Sequence, residues 1–345
     1  MTKSKPYFSI VMPVYNAEKF LSQTIKNILS QTFSDFELIL VNDCSPDNSA
    51  AVCDEFAEKD SRIKVVHNEV NRGPGGSRNV GLANSNGEYV MYMDSDDTVN
   101  DDMLQILFNE SGVADIITFG INLLHTNEKG SVVSKEILAS SDFYADTKEK
   151  IANAFYILST AKIFQYACNK IYRRDFLITC DVHYEDMRLG EDFFYNIQLF
   201  EKASVIKCLS NAFYNYIKPT TQTLTTSYSP IFFDLAKRKF KMEKAFLSSM
   251  NFQSEDTLNL VYLNHMKHFI SAIIRNQSVS SNMNLSQKMK FVSEKLKDET
   301  IVELLNNYKP LGIQNKFIFF VLKTKIPFFC LFTAKIISMI QKNVR

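Results

Sequence analysis

The 345-residue chain has no tryptophan, only ten glycines and no surplus of either charge, with 39 Lys and Arg against 38 Asp and Glu. A net charge of +1 lacks the basic excess by which dedicated nucleic-acid binders hold phosphates, so no nucleic-acid partner is expected. The six cysteines (Cys44, Cys53, Cys168, Cys180, Cys208 and Cys330) are scattered, with no Cys-x-x-Cys pair. That spacing supports neither a structural zinc site nor a disulfide framework, and suits reduced, mostly buried thiols. No uncharged apolar run approaches the ~18 residues that span a bilayer. The first apolar stretch, Phe8 to Val14, is too short for a signal peptide and precedes no small-residue cleavage site. These absences lead us to expect a protein that stays on the cytoplasmic side.

Apolar residues make up 46% and charged residues 22% of the chain, enough to build a buried core rather than low-complexity disorder. Phe is abundant at 28 residues, and a skew towards Phe, Ile, Lys and Asn is what low-GC bacterial coding produces. At ~100–200 residues per domain, roughly two domains are expected. Tyr7–Val14 is a continuous apolar run, as in a strand covered on both faces, Phe36–Val41 reads as a second buried strand, and Ile63–His67 and Tyr89–Met93 as a third and a fourth strand. Between them, Glu18–Gln31 places Phe20, Leu21, Ile25, Ile28 and Leu29 on one helical face. A second helix runs through Val52 and Phe56, and a short third one lies near Ser77–Ala83. This alternation predicts an α/β layer on a largely parallel sheet.

Ligands of such sheets collect beyond the carboxyl ends of the strands. Asn42–Asp43, Asn71–Arg78 and Asp94–Asp97 should therefore share one edge. Further along, Asp115–Phe119 predicts a strand, Ile121–Leu138 a hairpin or loop excursion, and Lys148–Leu158 and Glu191–Phe200 helices. Val205–Leu209 and Ala212–Tyr216 read as two closing strands. Beyond the loop Lys218–Tyr228 the pattern turns helical at Pro230–Met250, Glu255–Asn276, Ser286–Lys297 and Thr300–Asn307. The expected organisation is an α/β domain over 1–225, a helical domain over 226–308 and a basic, apolar tail over 309–345.

The cluster Asp94-Ser95-Asp96-Asp97 has two readings. If the strand continues, Asp94 and Asp96 point the same way and form a hard-oxygen site for Mg²⁺ or Mn²⁺. Alternatively it is a solvated turn with Asp97 or Thr98 capping a helix. Gly73-Pro74-Gly75-Gly76-Ser77-Arg78-Asn79 could cradle phosphate through backbone N–H groups and the Arg78 guanidinium, or could be a plain flexible turn. It lacks the Lys-Ser/Thr ending of a Walker loop, which rules out that ATPase pattern. Glu191-Asp192 opens an apolar helix, where acids either complement the helix dipole or offer a general base. The five histidines have no convincing ligand spacing, although His265 and His268 share a helix face.

In combination these segments are informative. SIVMPVYN, VNDCSPDNS, NRGPGGSRNVGL, YVMYMDSDD, NKIYRRDFL and GEDFFYN occur in an order and spacing that resemble glycosyltransferase family 2, over roughly residues 7–220. The resemblance implies the GT-A fold, Rossmann-like with a mostly parallel sheet, followed here by a helical C-terminal region. It implies an inverting sugar transferase with a nucleotide-sugar donor, expected to be a UDP-sugar, and Mn²⁺ or Mg²⁺ as cofactor. Pro13, Tyr15 and Asp43 match the segments that contact the nucleotide, with Glu18 just beyond. Asp94-Ser95-Asp96 matches the D-x-D element, with metal ligation given chiefly to Asp96 and the nucleotide-facing role to Asp94. Arg78 matches the arginine near the donor, and Asp192, beside Glu191, matches the catalytic base. Many relatives carry an arginine before a Ser/Thr pair after the last sheet strands; here the text is YNYIKPTTQTLTTSY, and Lys218 would supply that charge without the arginine fork. The competing expectation from another class is a non-catalytic nucleotide-sugar-binding or assembly module. A nucleotidyltransferase would use similar carboxylates but release pyrophosphate.

The tail Lys309–Arg345 carries seven basic residues and no acidic one, interleaved with FIFFVL, IPFFCLF and AKIISMI. Basic residues among exposed aromatics suit a segment lying on an anionic membrane surface. The plainer reading is a helix closing the core of the second domain, its lysines reaching outward. On the first reading the acceptor is a glycan or lipid-linked precursor of a cell-surface polysaccharide, used at the inner face of a bacterial membrane. The helical remainder is expected to shape the acceptor site and to contact membrane or a second subunit of a homo-oligomer.

Overall fold

The computed structural model describes residues 5–343 apart from 128–129, 188, 220–227 and 253. The chain divides into two compact units, Met1–Pro219 and Thr220–Arg345. Most of the loop expected at Lys218–Tyr228 lies outside the described residues.

In the first unit, β1 (Phe8–Val14), β2 (Phe36–Asn42), β3 (Ile63–His67) and β4 (Tyr89–Tyr92) are parallel in the order β3-β2-β1-β4. β1, β2 and β4 are buried on both faces apart from Pro13 and Glu37, whereas the edge strand β3 buries only Ile63 fully. The sheet continues as β4-β9-β6-β10-β5, built from β5 (Thr98–Val99), β6 (Ile116–Thr126), β9 (Lys170–Arg173) and β10 (Ile206–Pro219). β7 (Val132–Leu138) forms the expected hairpin with β6, and β8 (Phe143–Ala145) pairs with β10. β9 is antiparallel to both its neighbours, whereas β6 and β10 are parallel. A parallel half is thus joined to a mixed half, with helices α1 (Glu18–Leu29), α2 (Ser49–Lys59), α3 (Gly73–Ala83), α4 (Met103–Ser111), α5 (Lys148–Thr160), α6 (Arg174–Cys180) and α7 (Glu191–Lys202) between the strands.

Four expectations are corrected. α1 buries Leu21, Thr24, Ile25 and Ile28, whereas Phe20, one position before that stripe, is 53% exposed. The two closing strands are one strand, β10, kept continuous by an irregular register between Cys208 and Tyr214. The strand before DSDD ends at Tyr92, so the alternation argument for Asp94 and Asp96 does not apply. The glycine-rich segment is neither loop nor flexible turn: it forms the first turn of α3, with Pro74 at its start, where a missing N–H costs nothing. α3 also lies very close to the sheet, since a Cβ on Gly81 would come within 2.1 Å of Val11 Cγ1.

The second unit is helical: α8 (Phe232–Ser249), α9 (Glu255–Asn276), α10 (Leu285–Lys295), α11 (Glu299–Asn307), α12 (Ile313–Lys323) and α13 (Pro327–Asn343). α9 is its hub, packing against α8, α10, α11 and α13. His265, on α9, is a core residue: its ring stacks on Phe240 at 4.3 Å and Nε2 lies 2.9 Å from Thr300 Oγ1. Among the described residues no helix is long and apolar enough to cross a membrane.

Candidate active site

The parallel half brings the carboxyl ends of β1, β2, β3 and β4 to one edge, as expected. Pro13 and Tyr15 leave β1 there, and Asp43 follows β2. The Tyr15 ring is exposed. Asp43 is buried, and its Oδ1 accepts from the Arg72 N–H at 2.8 Å and from Asn68 Nδ2 at 2.8 Å. Glu18 serves the neighbouring loop: one carboxylate oxygen accepts the Asn48 N–H at 3.0 Å, and its own N–H donates to Asp47.

Arg78 is the centre of the site. It sits on α3 with its side chain only 4% exposed, and its two terminal nitrogens reach carboxylates from two other segments. Nη2 donates to Asp94 Oδ1 at 2.9 Å, just beyond β4. Nη1 donates to Asp192 Oδ1 at 2.7 Å and stands 3.6 Å from Glu191 Oε1, both in the first turn of α7. The guanidinium carbon also lies 5.3 Å from the Tyr184 ring centroid. Asn79, the next residue, exchanges two hydrogen bonds with the Tyr184 backbone at 2.8 and 2.9 Å. A Cβ on Gly75 would press to 3.0 Å from Tyr184 Cβ, so the glycine makes room for this contact.

The acids of the site have separate electrostatic roles. Burial pushes the Asp192 carboxyl up to about 7; Arg78 opposes the shift, while Glu191 and Asp94 add to it. A carboxylate near neutrality is well matched to accepting a proton. Asp97 is buried and fully engaged, accepting from Tyr214 Oη at 2.7 Å and from the Ile217 N–H at 2.7 Å. It ties the acidic turn to β10, and Tyr214 Oη in turn accepts the Asp94 N–H at 3.1 Å. Asp96 differs. It is open to solvent and makes no ion pair among the described residues, yet surrounding protein and then the Asp94 charge push its carboxyl up to about 6.

That raised proton affinity beside a second carboxylate is the electrostatic condition that favours a hard divalent cation. Asp96, with Asp94, fits such a metal. The described residues contain no cluster of three or more ligating side chains, so they form no complete protein cage. Mg²⁺-like sites of this kind draw their remaining ligands from water and substrate phosphates.

A buried polar block supports Asp192 from beneath. Lys170 Nζ donates to the carbonyls of Phe164 at 3.0 Å and Tyr166 at 2.6 Å and to Asn169 Oδ1 at 2.8 Å. Asn196, one turn beyond Asp192 on α7, donates to the same two carbonyls at 3.1 and 3.0 Å. The loop before β9 is thereby fixed to α7, the helix that carries Asp192. Sequence reading missed this block: Lys170 opens the short strand β9 behind Asn169, and nothing in that text marks the lysine as buried. The aromatic cluster of Tyr92, Tyr172, Tyr184 and Tyr195 was missed as well; Tyr184 and Tyr195 stack at 3.9 Å.

The structure therefore joins Arg78, Asp94, Glu191 and Asp192 directly. Pro13, Tyr15, Glu18, Asp43, Ser95 and Asp96 stand at the same sheet edge without a hydrogen bond or ion pair to Arg78. Lys218 lies on β10 next to Ile217, whose N–H holds Asp97.

Residues 9–179 match the model for "Glycosyl transferase family 2". The chain is 28% identical over 282 residues to "Uncharacterized glycosyltransferase EpsJ" of Bacillus subtilis (strain 168), covering 80% of each protein. It is also 28% identical over 215 residues to "Poly(ribitol-phosphate) beta-N-acetylglucosaminyltransferase TarS" of Staphylococcus aureus (strain MW2), covering 61% of this chain and 35% of that relative. The structure of S. aureus TarS 1-349 in complex with UDP-GlcNAc superposes with a TM-score of 0.64 at 20% identity, over 96% of this chain and 92% of that one. That likeness establishes the GT-A architecture of the α/β unit and its helical continuation.

Proposed function

The chain belongs to glycosyl transferase family 2 and is a glycosyltransferase, and from that premise we propose that it moves a sugar, with inversion, from a UDP-sugar donor to a hydroxyl of a glycan or lipid-linked acceptor in cell-surface polysaccharide synthesis. The observation that carries this reading is the buried Arg78 guanidinium shared between Asp94 and the Glu191–Asp192 pair. One fixed cation sets the distance between the donor-side carboxylates and the base.

In this reading Asp192 accepts the proton of the acceptor hydroxyl as its oxygen forms the new bond to the anomeric carbon. The bond from that carbon to the diphosphate oxygen breaks, and its electron pair leaves with the nucleoside diphosphate. No enzyme nucleophile is required. Glu191 adds negative charge beside Asp192 and helps keep its proton affinity high. Both terminal nitrogens of Arg78 are committed to carboxylates, so Arg78 serves by positioning Asp192 and Asp94. Asp96 and Asp94 would hold Mn²⁺ or Mg²⁺, which when bound supplies positive charge to the departing diphosphate. Pro13, Tyr15, Glu18, Asp43 and Ser95 would bind the nucleotide side of the donor, and Lys218 would face the diphosphate. A membrane-attached acceptor would place the chain at the cytoplasmic face of the bacterial membrane.

Donor hydrolysis over UDP-, GDP- and dTDP-sugars, with Mn²⁺ or EDTA, tests the reaction class. Metal-dependent release of UDP from one donor is the expected outcome; formation of UTP and sugar 1-phosphate when pyrophosphate is added would mark a nucleotidyltransferase instead. Asp192→Asn should keep UDP binding in calorimetry and lose turnover by about 10²–10⁴-fold. Undiminished turnover would remove Asp192 from the role of base. No release from any donor, together with no binding of UDP with Mn²⁺, would sink the donor site.

A further inference from the structure

We propose that α12 and α13 form a docking face for an anionic lipid bilayer, on which the second unit lies without crossing it. The proposal deepens the reading of a membrane-attached acceptor and rests on it for its biological purpose; the evidence for the face itself is independent of the transfer chemistry.

Each helix has one face folded into the unit. Phe319, Val321 and Leu322 of α12 are buried, and the Phe319 ring meets Tyr308 edge-on at 5.4 Å. On α13, Cys330, Leu331 and Ala334 are buried against α9 and α10. The other faces are apolar and open to solvent. Ile313, Phe317 and Phe320 follow the i, i+4, i+7 spacing of one helical stripe and are 88%, 56% and 68% exposed. Phe328, Phe332, Ile336 and Met339 make a second stripe at i, i+4, i+8, i+11, also exposed. Contiguous apolar faces of this kind mark contact surfaces, since water alone leaves them unfavourably solvated.

The charge pattern selects the occupant. Lys316, Lys323 and Lys335 are exposed on the same two helices, and no acidic residue occurs from Lys309 to the end of the chain. A second copy docked face to face across a two-fold axis would bring lysines against lysines with no carboxylate on the face to answer them. An anionic headgroup layer supplies that countercharge, and the acyl boundary below it receives the phenylalanines. The helices are too short and too often interrupted by lysine to span the hydrocarbon core.

The test is flotation of the full chain with mixed phosphatidylglycerol–phosphatidylcholine vesicles and with phosphatidylcholine vesicles alone. Binding to the anionic vesicles, weakened by salt, is expected. The triple variant Lys316→Glu, Lys323→Glu, Lys335→Glu should weaken it by at least about 100-fold, from roughly fivefold per basic residue near the surface. Phe320→Ser with Phe329→Ser should weaken it by at least about tenfold while leaving the thermal melt in place, because both side chains are exposed. No binding to either vesicle, or undiminished binding by the serine variant, overturns the proposal. So does a dimer in solution that the serine variant dissociates, since the face would then be a subunit contact. UDP release is measured on the same samples. Intact release with absent lipid binding rejects only this face, whereas absent release with intact lipid binding bears on the transferase reading alone.

Discussion

At the scale of single residues, Arg78 carries more of the site than any other side chain. Its guanidinium is almost wholly buried, whereas its partners Asp94 and Asp192 keep side-chain exposures of 33% and 24%. Removing a buried cation leaves carboxylates facing one another, at about 3–5 kcal/mol when all partners are buried. Because Asp94 and Asp192 retain access to water, Arg78→Met is expected to lose about 2–3 kcal/mol in urea unfolding. Unchanged stability would mean that the carboxylates are not ionised together in the wild type. The same variant carries a second signature in pH. As the proposed base, Asp192 would accept a proton only when ionised, so activity is expected above its pKa of about 7 and should be lost as pH falls through that value. Arg78 lowers that pKa, so its removal should move the acid limb of the kcat/KM profile to higher pH. An unmoved limb would show that a different group limits the rate. Sequence alone could list Arg78, Asp94, Asp96 and Asp192 as separate candidates. It could not distinguish Asp97, which is consumed by Tyr214 and Ile217, from Asp96, which is open, because burial decides between them.

At the scale of elements, the α8–α9–α11 contact holds two buried titratable groups whose effects oppose each other. Burial pushes the His265 pKa down to about 4, so between 6.5 and 4 only the unfolded chain takes the proton. Its stability contribution is full above the ordinary histidine value and is lost as pH falls towards 4. Burial pushes the Glu243 pKa up to about 7, with Lys239 opposing, so the folded chain keeps a proton that the unfolded chain releases. That contribution is present at low pH and is lost as pH rises from 4.5 to about 7. The two contributions therefore oppose each other in mildly acid solution, and His268 on the same helix, whose pKa burial also lowers, adds to the histidine slope. Glu243→Gln should unmask the histidine slope, with stability falling by about 2–3 kcal/mol from neutral to acid pH, at 1.36 kcal/mol per pKa unit. Urea unfolding across that range checks it, and a variant no steeper than the wild type would contradict it. Strands β1, β2 and β4 were legible because burial on both faces writes itself as a nearly continuous apolar run. β10 was not, because its irregular register interrupts the pattern at Ser210–Asn211 while the ladder to β6 continues on either side. The start of α3 was hidden for a related reason. Glycines weigh against a helix in isolation, yet close packing on Val11 and Tyr184 favours them here.

At the scale of the whole molecule, the candidate site residues and the proposed lipid-facing surface fall in different units. Every candidate donor, metal and base residue lies between Pro13 and Lys218, inside the first compact unit, and the strands β1 to β10 are all contained there. The buried cluster beneath the site runs from Phe8 to Tyr214 and draws on no residue of the helical unit. The basic, apolar face belongs entirely to α12 and α13. A fragment of residues 1–219 is therefore expected to unfold cooperatively and to bind UDP with Mn²⁺ within about threefold of the full chain, a difference of less than 1 kcal/mol. The same fragment should show no affinity for phosphatidylglycerol vesicles. Calorimetry and flotation on one preparation read both properties. If UDP binding weakens by more than about tenfold while the fragment remains folded, residues beyond 219 contribute to the donor site. If the fragment still floats with anionic vesicles, attachment resides in the α/β unit, and the lysines of α12 and α13 serve solubility instead.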